Sequence, residues 1–487
     1  MSFPSDMQKF MDDVIDNFYA GYAHLLACQI KDEGFTAPEY NTTEEIIPIC
    51  NIAINCLLNT FEQIVTELLT SFEDVREFIH IYSSFSNPTS KKTIIFRHTC
   101  RYILSILPKL KLTSERSSSS DEHNILELCK LIALTKLLHT FIQAKSLQII
   151  ENTTCLKIEI NSFIDIEYTK QNIIALNSAL EQSPHLIHKN FASEDDFKRL
   201  MSTLEDNSPV LKTLLDYTTQ FISKRGDIFE VTREVGKTDN DPIISGLTYT
   251  IENVNFYETV HSPYNIFHRT RFRPILQLNI DNEIRYFTTS WMIVETFDEL
   301  STNLIPYGEL PKGWEKVHDL KQLCKDVTQQ VGKLFEDEVF KVINPKYSVK
   351  RNISGFHNVS LKKQVVPNTK RKVGEIDFIL IDNIRKIIFV IDAKCTKTKF
   401  YFQSFTNDKS TFEDYSIKLS DKVEWIASHK TEVGKYFRIN NIDEYTVEGI
   451  FVTNSLIYYN FFSVFPIIPL DRLILYIETL DRMCVIP

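Results

Sequence analysis

Asp377, Asp392 and Lys394 place charge within or beside the two apolar runs of the stretch VGEIDFILIDNIRKIIFVIDAK, which extends from Val373 to Lys394. Asp377 lies inside one apolar run, and Asp392 and Lys394 come at the end of the next. Removing a charge from water costs several kcal/mol unless the charge is paired or bound to a metal ion. Carboxylate oxygens gathered at one point suit Mg²⁺ or Mn²⁺, which prefer carboxylate, carbonyl and water ligands. The stretch therefore indicates a chemical site.

The spacing of these residues predicts hydrolysis of a phosphodiester bond. If Asp377 and Asp392 lie on paired strands, they can share one metal ion, and the carbonyl oxygen of Ala393 can supply a further ligand. Lys394 faces the same side as Asp392, because residues two apart on a strand point to one face. A metal-bound water is a better nucleophile because its pKa falls, and the ion and the lysine together offset the charge that develops on the phosphodiester.

The elements that must position these residues are predicted from local patterns. Ile376–Ile381 and Ile387–Ile391 have the length and composition of buried strands, and Asp382 and Asn383 between them are turn formers, which predicts a β-hairpin. One apolar stripe predicts a helix from Asp319 to Ile343 before the hairpin. The chain after it predicts a helix over Thr411–His429, a strand over Val447–Asn454 and a helix over Leu470–Asp481. This order is typical of an α/β domain with a central mixed sheet.

The motif GEIDF followed by VIDAK resembles the signature of the PD-(D/E)XK restriction-endonuclease-like superfamily. The segment GKLFEDEV, Gly332–Val339, resembles the GxxFExxV helix found in many of its members. The resemblance covers roughly residues 320–475, and Ile376 stands where the superfamily name has proline, as in many members. It implies a restriction-endonuclease-like fold, a Mg²⁺ or Mn²⁺ cofactor and DNA as substrate. It also implies the roles of single residues: metal-binding acids at Asp377 and Asp392, a catalytic lysine at Lys394 and a helix acid at Glu336.

The choice of helix acid stays open on geometry. On a helical wheel, Glu336 and Glu338 flank the apolar stripe on opposite sides, and only the motif favours Glu336. Glu375 shares the side-chain parity of Asp377, but it falls at the strand entry beside Gly374 and the motif does not use it.

A basic surface is predicted around the hairpin. Residues 344–400 carry 13 lysines and arginines and four acidic residues, a net charge of +9, in a chain whose net charge is −10. Such a basic segment in an acidic protein suits a polyanion, although a solvated face explains it equally well. The predicted phosphate contacts are Lys350, Arg351, Lys362, Lys363, Lys370, Arg371 and Lys372. On the following helix Lys422 or Lys418 is a weaker candidate, because exposed helix lysines are usually solvated.

Three segments are expected, which together make an α+β multidomain protein. Residues 1–225 form a helical N-terminal half, with helices over stretches such as Thr60–Tyr82 and Asn124–Gln148. Residues 226–315 form a small β-rich module and linker, with a hairpin turn at Asp281 and Asn282. Residues 316–487 form the nuclease-like domain.

Composition narrows the cellular setting. The nine cysteines are scattered and form no CxxC pair, which fits reduced thiols in a cytoplasmic protein. The N-terminus lacks the apolar core of a signal peptide, and charge or proline breaks the most apolar runs, so no membrane span is expected.

Several functions remain compatible with these patterns. The first is a metal-dependent DNA endonuclease, in keeping with a prokaryotic restriction or anti-phage defence effector, and an RNA nuclease is a variant of it. The second is a non-catalytic nucleic-acid-binding or scaffold protein on a nuclease-like fold, which keeps the basic surface and loses turnover. In a purely structural alternative, Asp377 and Asp392 simply pair with Lys394 and Arg385. In a third, residues 1–225 act as a helical adaptor. That segment is also where regulation, homo-oligomerisation or binding of a partner protein is expected.

Overall fold

A computed structural model of the chain contains two compact units. Among the described residues, the first unit extends to Lys325 and the second begins at Asp326. The residues that the structure describes are 5–84, 91–115, 121–151, 156–168, 194–220, 227–231, 241–253, 272–311, 313–353, 357–358, 363–364, 373–396 and 405–482.

Helices dominate the described part of the first unit. They are α1 (Ser5–Asp32), α2 (Thr43–Leu68), α3 (Phe72–Ser84), α4 (Lys91–Ile106), α5 (Asp121–Glu151), α6 (Glu194–Asn207), α7 (Pro209–Gln220), α8 (Pro242–Leu247) and α9 (Ser290–Glu299). The helix over Asn124–Gln148 is confirmed within α5, and the helical stretch Thr60–Tyr82 is divided between α2 and α3. The chain leaves the helix after Leu68, where Asp74 accepts hydrogen bonds from the backbone of Thr70 and Ser71 and starts α3.

Two sheets complete the first unit. Their strands are β1 (Glu39–Tyr40), β2 (Lys111–Leu112), β3 (Leu156–Ile160), β4 (Ile164–Tyr168), β5 (Ile228–Val231), β6 (Thr248–Tyr249), β7 (Ile275–Ile280) and β8 (Glu283–Thr289). One sheet has the order β1-β3-β4, and the other has the order β2-β7-β8-β5, with β6 also paired to β7. The predicted turn at Asp281 and Asn282 joins β7 to β8, and both residues take the positive φ angles that this kind of turn requires.

Residues 156–168 correct the prediction that the whole N-terminal half is helical. They form the antiparallel hairpin β3–β4, in which Leu156, Ile158 and Ile160 are buried and the residues between them are not. This is the two-residue period of a half-buried strand.

The predicted helical and β-rich segments share the first unit. Strand β2 pairs with β7, and Arg97 and Arg101 of α4 both pair with Glu295 of α9. The separate roles assigned to residues 1–225 and 226–315 stay a prediction.

Helix α10 (His318–Ile343) is followed by the elements of the second unit. Its helices are α11 (Phe405–Ser428), α12 (Lys430–Phe437) and α13 (Leu473–Thr479). Its strands are β9 (Ser348–Ile353), β10 (His357–Asn358), β11 (Lys363–Gln364), β12 (Ile376–Asp382), β13 (Ile387–Lys394), β14 (Thr446–Thr453) and β15 (Ile467–Pro469). The predicted hairpin, both flanking helices and the strand at β14 are confirmed.

A mixed sheet lies at the centre of the second unit, as predicted. Its strand order is β15-β14-β13-β12-β9. Strands β13, β14 and β15 are parallel, whereas β12 runs antiparallel to both β13 and β9. The strands β12, β13 and β14 are almost continuous apolar runs, which is the composition of strands covered on both faces. A restriction-endonuclease-like identity for this fold stays a prediction.

Helix α11 packs against one face of this sheet. Phe412 and Tyr415 of α11 contact Phe451 of β14 with ring centroids 5.3 Å and 6.4 Å apart. Gly449 of β14 permits this approach, because a Cβ atom there would lie 2.9 Å from Val423 of α11 and 2.8 Å from the ring of Phe465. None of the helices in the described ranges is long and apolar enough to cross a membrane.

Candidate active site

Asp377 and Asp392 lie opposite each other at one end of the β12–β13 pair. Phe378 pairs with Ile391, so the same register continued by one residue aligns the two aspartates. Oδ2 of Asp377 accepts a hydrogen bond of 2.8 Å from the backbone N–H of Ala393. The structure thus brings together the two acids that the sequence predicts as metal ligands.

Two lysines hold the carboxylate of Asp392. Nζ of Lys394 lies 2.8 Å from Oδ2, and Nζ of Lys422 lies 2.9 Å from Oδ1. The side chain of Asp392 is 4% exposed, and the side chains of Lys394 and Lys422 are 24% and 9% exposed. Asp392 is therefore a buried carboxylate with an ammonium group on each oxygen.

The two aspartates differ in their affinity for a proton. Burial, and then the negative charge of Asp392, raises the pKa of Asp377 to about 8. Burial also opposes ionisation of Asp392, but the ammonium groups of Lys394 and Lys422 outweigh it and lower the pKa of Asp392. Without a cation the pair therefore holds its proton on Asp377, and Asp392 carries the charge.

Lys394 sits at the open side of the cluster. Burial alone would lower the pKa of Lys394, but the carboxylates of Asp392 and Asp377 outweigh it and raise that pKa. Its Nζ atom also lies 5.1 Å from the centre of the ring of Tyr415. A cation over an aromatic face is stabilised by about 0.5–2 kcal/mol. Lys394 is thus a charged ammonium group directed by an acid on one side and a ring on the other.

Helix α10 brings a third carboxylate towards the cluster. Burial, and then the charge of Glu375, raises the pKa of Glu336, while the ammonium group of Lys394 acts in the opposite direction. Glu338 instead pairs with Lys341 one turn later on the same helix, at 2.9 Å. Glu336 is therefore an electrostatic neighbour of Lys394, and its role as the helix acid stays a prediction.

Glu375 was set aside on sequence, yet it is an electrostatic neighbour of Glu336. Gly374 before it has a φ of +78°, which glycine adopts without strain, and β12 begins directly after it. Glu375 and Asp377 lie two residues apart, so their side chains share one face of a strand. This spacing could have indicated Glu375 as a member of the site.

Lys422 belongs to the buried cluster and not to an exposed basic surface. Its helix buries Phe412, Leu419 and Ile426 completely, and Lys422 falls on the same stripe at helical spacing. A lysine inside an apolar stripe is the sequence signal that could have indicated a buried partner. Lys422 pairs with Asp392 in the structure, and its contact with a phosphate stays a prediction.

The predicted basic surface is described only in part. Lys350 lies 5.6 Å from the ring centre of Tyr436, and Arg351 pairs with Asp337 at 2.5 Å. Lys363 lies in the two-residue strand β11, where only its backbone is described. Four predicted phosphate contacts lie outside the described residues: Lys362, Lys370, Arg371 and Lys372.

The donor atoms of the cluster fit a hard divalent cation. Within the described ranges there is no group of three or more His, Cys, Asp and Glu side chains arranged to hold a metal ion. Asp377 and Asp392 alone supply fewer side chains than such a group needs. Mg²⁺ commonly binds through one or two carboxylates and takes its other ligands from water and substrate phosphate. Burial and the charge of Asp392 raise the pKa of Asp377. A bound cation would oppose both effects and favour the ionised carboxylate.

The second unit thus contains a buried acid–lysine cluster at one end of the central strands of a mixed sheet. Comparison of the chain with protein-family models, with curated proteins and with solved structures gives no match. The chemistry of this cluster is therefore what can indicate a function for the chain.

Proposed function

We propose that the chain is a Mg²⁺- or Mn²⁺-dependent endonuclease that hydrolyses phosphodiester bonds, with DNA as the expected substrate. The observation that carries the proposal is the alignment of Asp377 with Asp392 across two strands, with Lys394 2.8 Å from Asp392. The order and spacing of these residues resemble the PD-(D/E)XK superfamily, and a restriction-endonuclease-like fold is part of the proposal. In a cell, this activity would suit a restriction or anti-phage defence effector.

Each residue of the cluster has a chemical task in this proposal. Asp377, Asp392 and the carbonyl oxygen of Ala393 would hold the cation, and Glu336 would add a carboxylate from α10. The cation, when bound, would supply a more acidic water and offset charge on the phosphate. Lys394 would donate a hydrogen bond from Nζ to the phosphate oxygen or to the attacking water, and so orient it.

A cleavage assay on the full chain tests the proposal. Plasmid DNA and single-stranded RNA are incubated with Mg²⁺, with Mn²⁺ or with EDTA. We expect the wild type to cut DNA only when a divalent cation is present. Asp392→Asn and Lys394→Met should each lower the rate by about a hundredfold or more, because one removes a proposed metal ligand and the other the proposed orienting ammonium.

Lys386→Ala is the matched control. Lys386 lies in the turn at the opposite end of the same hairpin, where it pairs with Glu444. Its loss should leave the cleavage rate unchanged, because exposed ion pairs contribute little. Cleavage by Asp392→Asn at the wild-type rate would show that the site is assigned to the wrong residues.

A second candidate, a non-catalytic nucleic-acid-binding protein, is favoured by one observation. Both carboxylate oxygens of Asp392 already have ammonium partners, as they would in a purely structural ion-pair cluster. That protein would shift DNA in a gel without cutting it in either cation, and the same variants would lose stability instead of activity.

A further inference from the structure

We infer that Lys422 stays on Oδ1 of Asp392, which limits the cluster to one divalent metal ion and leaves Lys394 as the ammonium group that the ion displaces. This inference rests on the proposed function in one respect only, namely that the cluster binds a divalent cation.

The two lysines that contact Asp392 differ in how deeply their side chains are buried. Lys422 reaches Oδ1 from α11, and its side chain is 9% exposed, whereas Lys394 reaches Oδ2 from the strand end and is 24% exposed. An ion that arrives from solvent therefore meets Lys394 first. Oδ2 is the oxygen that becomes available when this more exposed ammonium group moves away.

Moving Lys422 away from Asp392 would cost more free energy than moving Lys394 away. It lies on the stripe of α11 whose members Leu419 and Ile426 are fully buried. Separating one member of a buried ion pair leaves an uncompensated charge in the interior, which is strongly unfavourable. Lys394, in contrast, keeps a favourable position beside the ring of Tyr415 and has access to water.

The two oxygens of Asp392 leave a place for one divalent ion. Lys422 keeps Oδ1, so Oδ2 is the oxygen that can turn to an ion shared with Asp377 on the neighbouring strand. A second ion beside Oδ1 would meet the ammonium group of Lys422 at close range in a largely buried site, which is unfavourable.

Titration of the full chain with Mn²⁺, followed by calorimetry and by electron paramagnetic resonance, tests this without any nucleic acid. We expect one Mn²⁺ per chain for the wild type. Lys394→Met should still bind one ion, but tenfold or more tightly, because no ammonium group has to be displaced from Oδ2. Lys422→Met should bind two ions, because Oδ1 of Asp392 becomes free, whereas in Lys394→Met that oxygen is still held by Lys422.

Lys422→Arg keeps the positive charge and should bind one ion as the wild type does. Two ions in the wild type, or one ion in Lys422→Met, would overturn the inference. If Lys422→Met does not fold, the wild type and Lys394→Met decide it, since a second ion in either one contradicts a limit set by Lys422. One bound Mn²⁺ without cleavage of DNA or RNA would overturn the proposed function and leave the inference standing, whereas no bound Mn²⁺ would overturn both.

Discussion

The backbone N–H of Ala393 donates a hydrogen bond of 2.8 Å to Oδ2 of Asp377, across the end of the β12–β13 pair. This contact ties the carboxyl of Asp377 to the strand that carries Asp392. It fixes one oxygen of Asp377, whereas the two lysines lie on the oxygens of Asp392.

Asp377→Asn should stabilise the protein in EDTA and abolish Mn²⁺ binding. The asparagine oxygen can still accept from Ala393, and its amide can donate to Asp392 as the protonated carboxyl does. Because the pKa of Asp377 rises from 3.8 to about 8 on folding, the folded state binds the extra proton and wild-type stability falls as pH rises through that window. Urea unfolding at pH 8 should therefore favour the variant by at least ~1.4 kcal/mol, and the gain should disappear near pH 4.

Asp382→Asn in the same strand is the control, and it should lower the stability at pH 8, where Asp377→Asn raises it. Asp382 is buried, accepts backbone hydrogen bonds from Ile384 and Arg385, and pairs with the guanidinium of Arg385 at 2.8 Å. Burial opposes its ionisation, but the contacts of Arg385 outweigh it and lower the pKa of Asp382. Equal effects of the two substitutions would show that general burial, and not the charge of Asp392, governs Asp377.

Glu336→Gln should lower divalent-dependent cleavage roughly 10- to 100-fold, as expected when a carboxylate beside a metal site is lost. Glu338→Gln should change the rate by less than about twofold, because the pair that Glu338 forms with Lys341 lies at the surface. The two variants lie on one helix, two residues apart, so any general effect on α10 is shared. A larger loss in Glu338→Gln would reverse the assignment of the helix acid.

The strands and helices around the site could be predicted because their signals are local. The runs in β12 and β13 are apolar and β-branched over strand length, and residues two apart on a strand share a face whatever surrounds them. The pairing of Asp377 with Asp392 follows from that hairpin. The hairpin β3–β4 had an equally local two-residue period, in Leu156, Ile158 and Ile160, but the helical stretches on either side concealed it.

The partners of Lys422 and Glu375 could not be predicted in the same way. Lys422 lies 30 residues after Asp392, and their contact depends on how closely α11 approaches the sheet. That distance is set by packing, through Gly449 and Phe451 of β14, and not by any local pattern. The influence of Glu375 on Glu336 likewise requires α10 to be placed beside the start of β12.

His139 in α5 should make the first unit less stable in mild acid. Burial lowers the pKa of His139 to about 4, and the rings of His98 and Tyr102 lie 4.9 Å and 6.1 Å from it. Between pH 6.5 and pH 4 the unfolded chain therefore binds more protons than the folded one, and stability falls as pH decreases. We expect a loss on the order of 2 kcal/mol by pH 5, at about 1.4 kcal/mol for each pH unit below 6.5.

His139→Gln cannot titrate and should lack this component of the acid-induced loss, as measured by urea unfolding at pH 7.5 and pH 5. His123 is the control, because it lies on the same helix with its side chain 54% exposed. His123→Gln should keep the wild-type pH dependence. An unchanged dependence in His139→Gln would show that other groups cause the loss.

Gly449→Ala should destabilise the second unit by about 1–3 kcal/mol, the usual cost of overpacking a filled interior. The added Cβ would lie 2.9 Å from Val423 and 2.8 Å from Phe465, so either α11 or the Phe465 ring must move. Because Lys422 neighbours Val423, a moving helix would also lengthen the pair between Lys422 and Asp392. Gly332→Ala in α10 meets no atom within 4 Å and should instead stabilise by about 0.5–1 kcal/mol, as alanine does in a helix. Urea midpoints measure both, and a Gly449→Ala protein as stable as the wild type would show that α11 does not depend on this close approach.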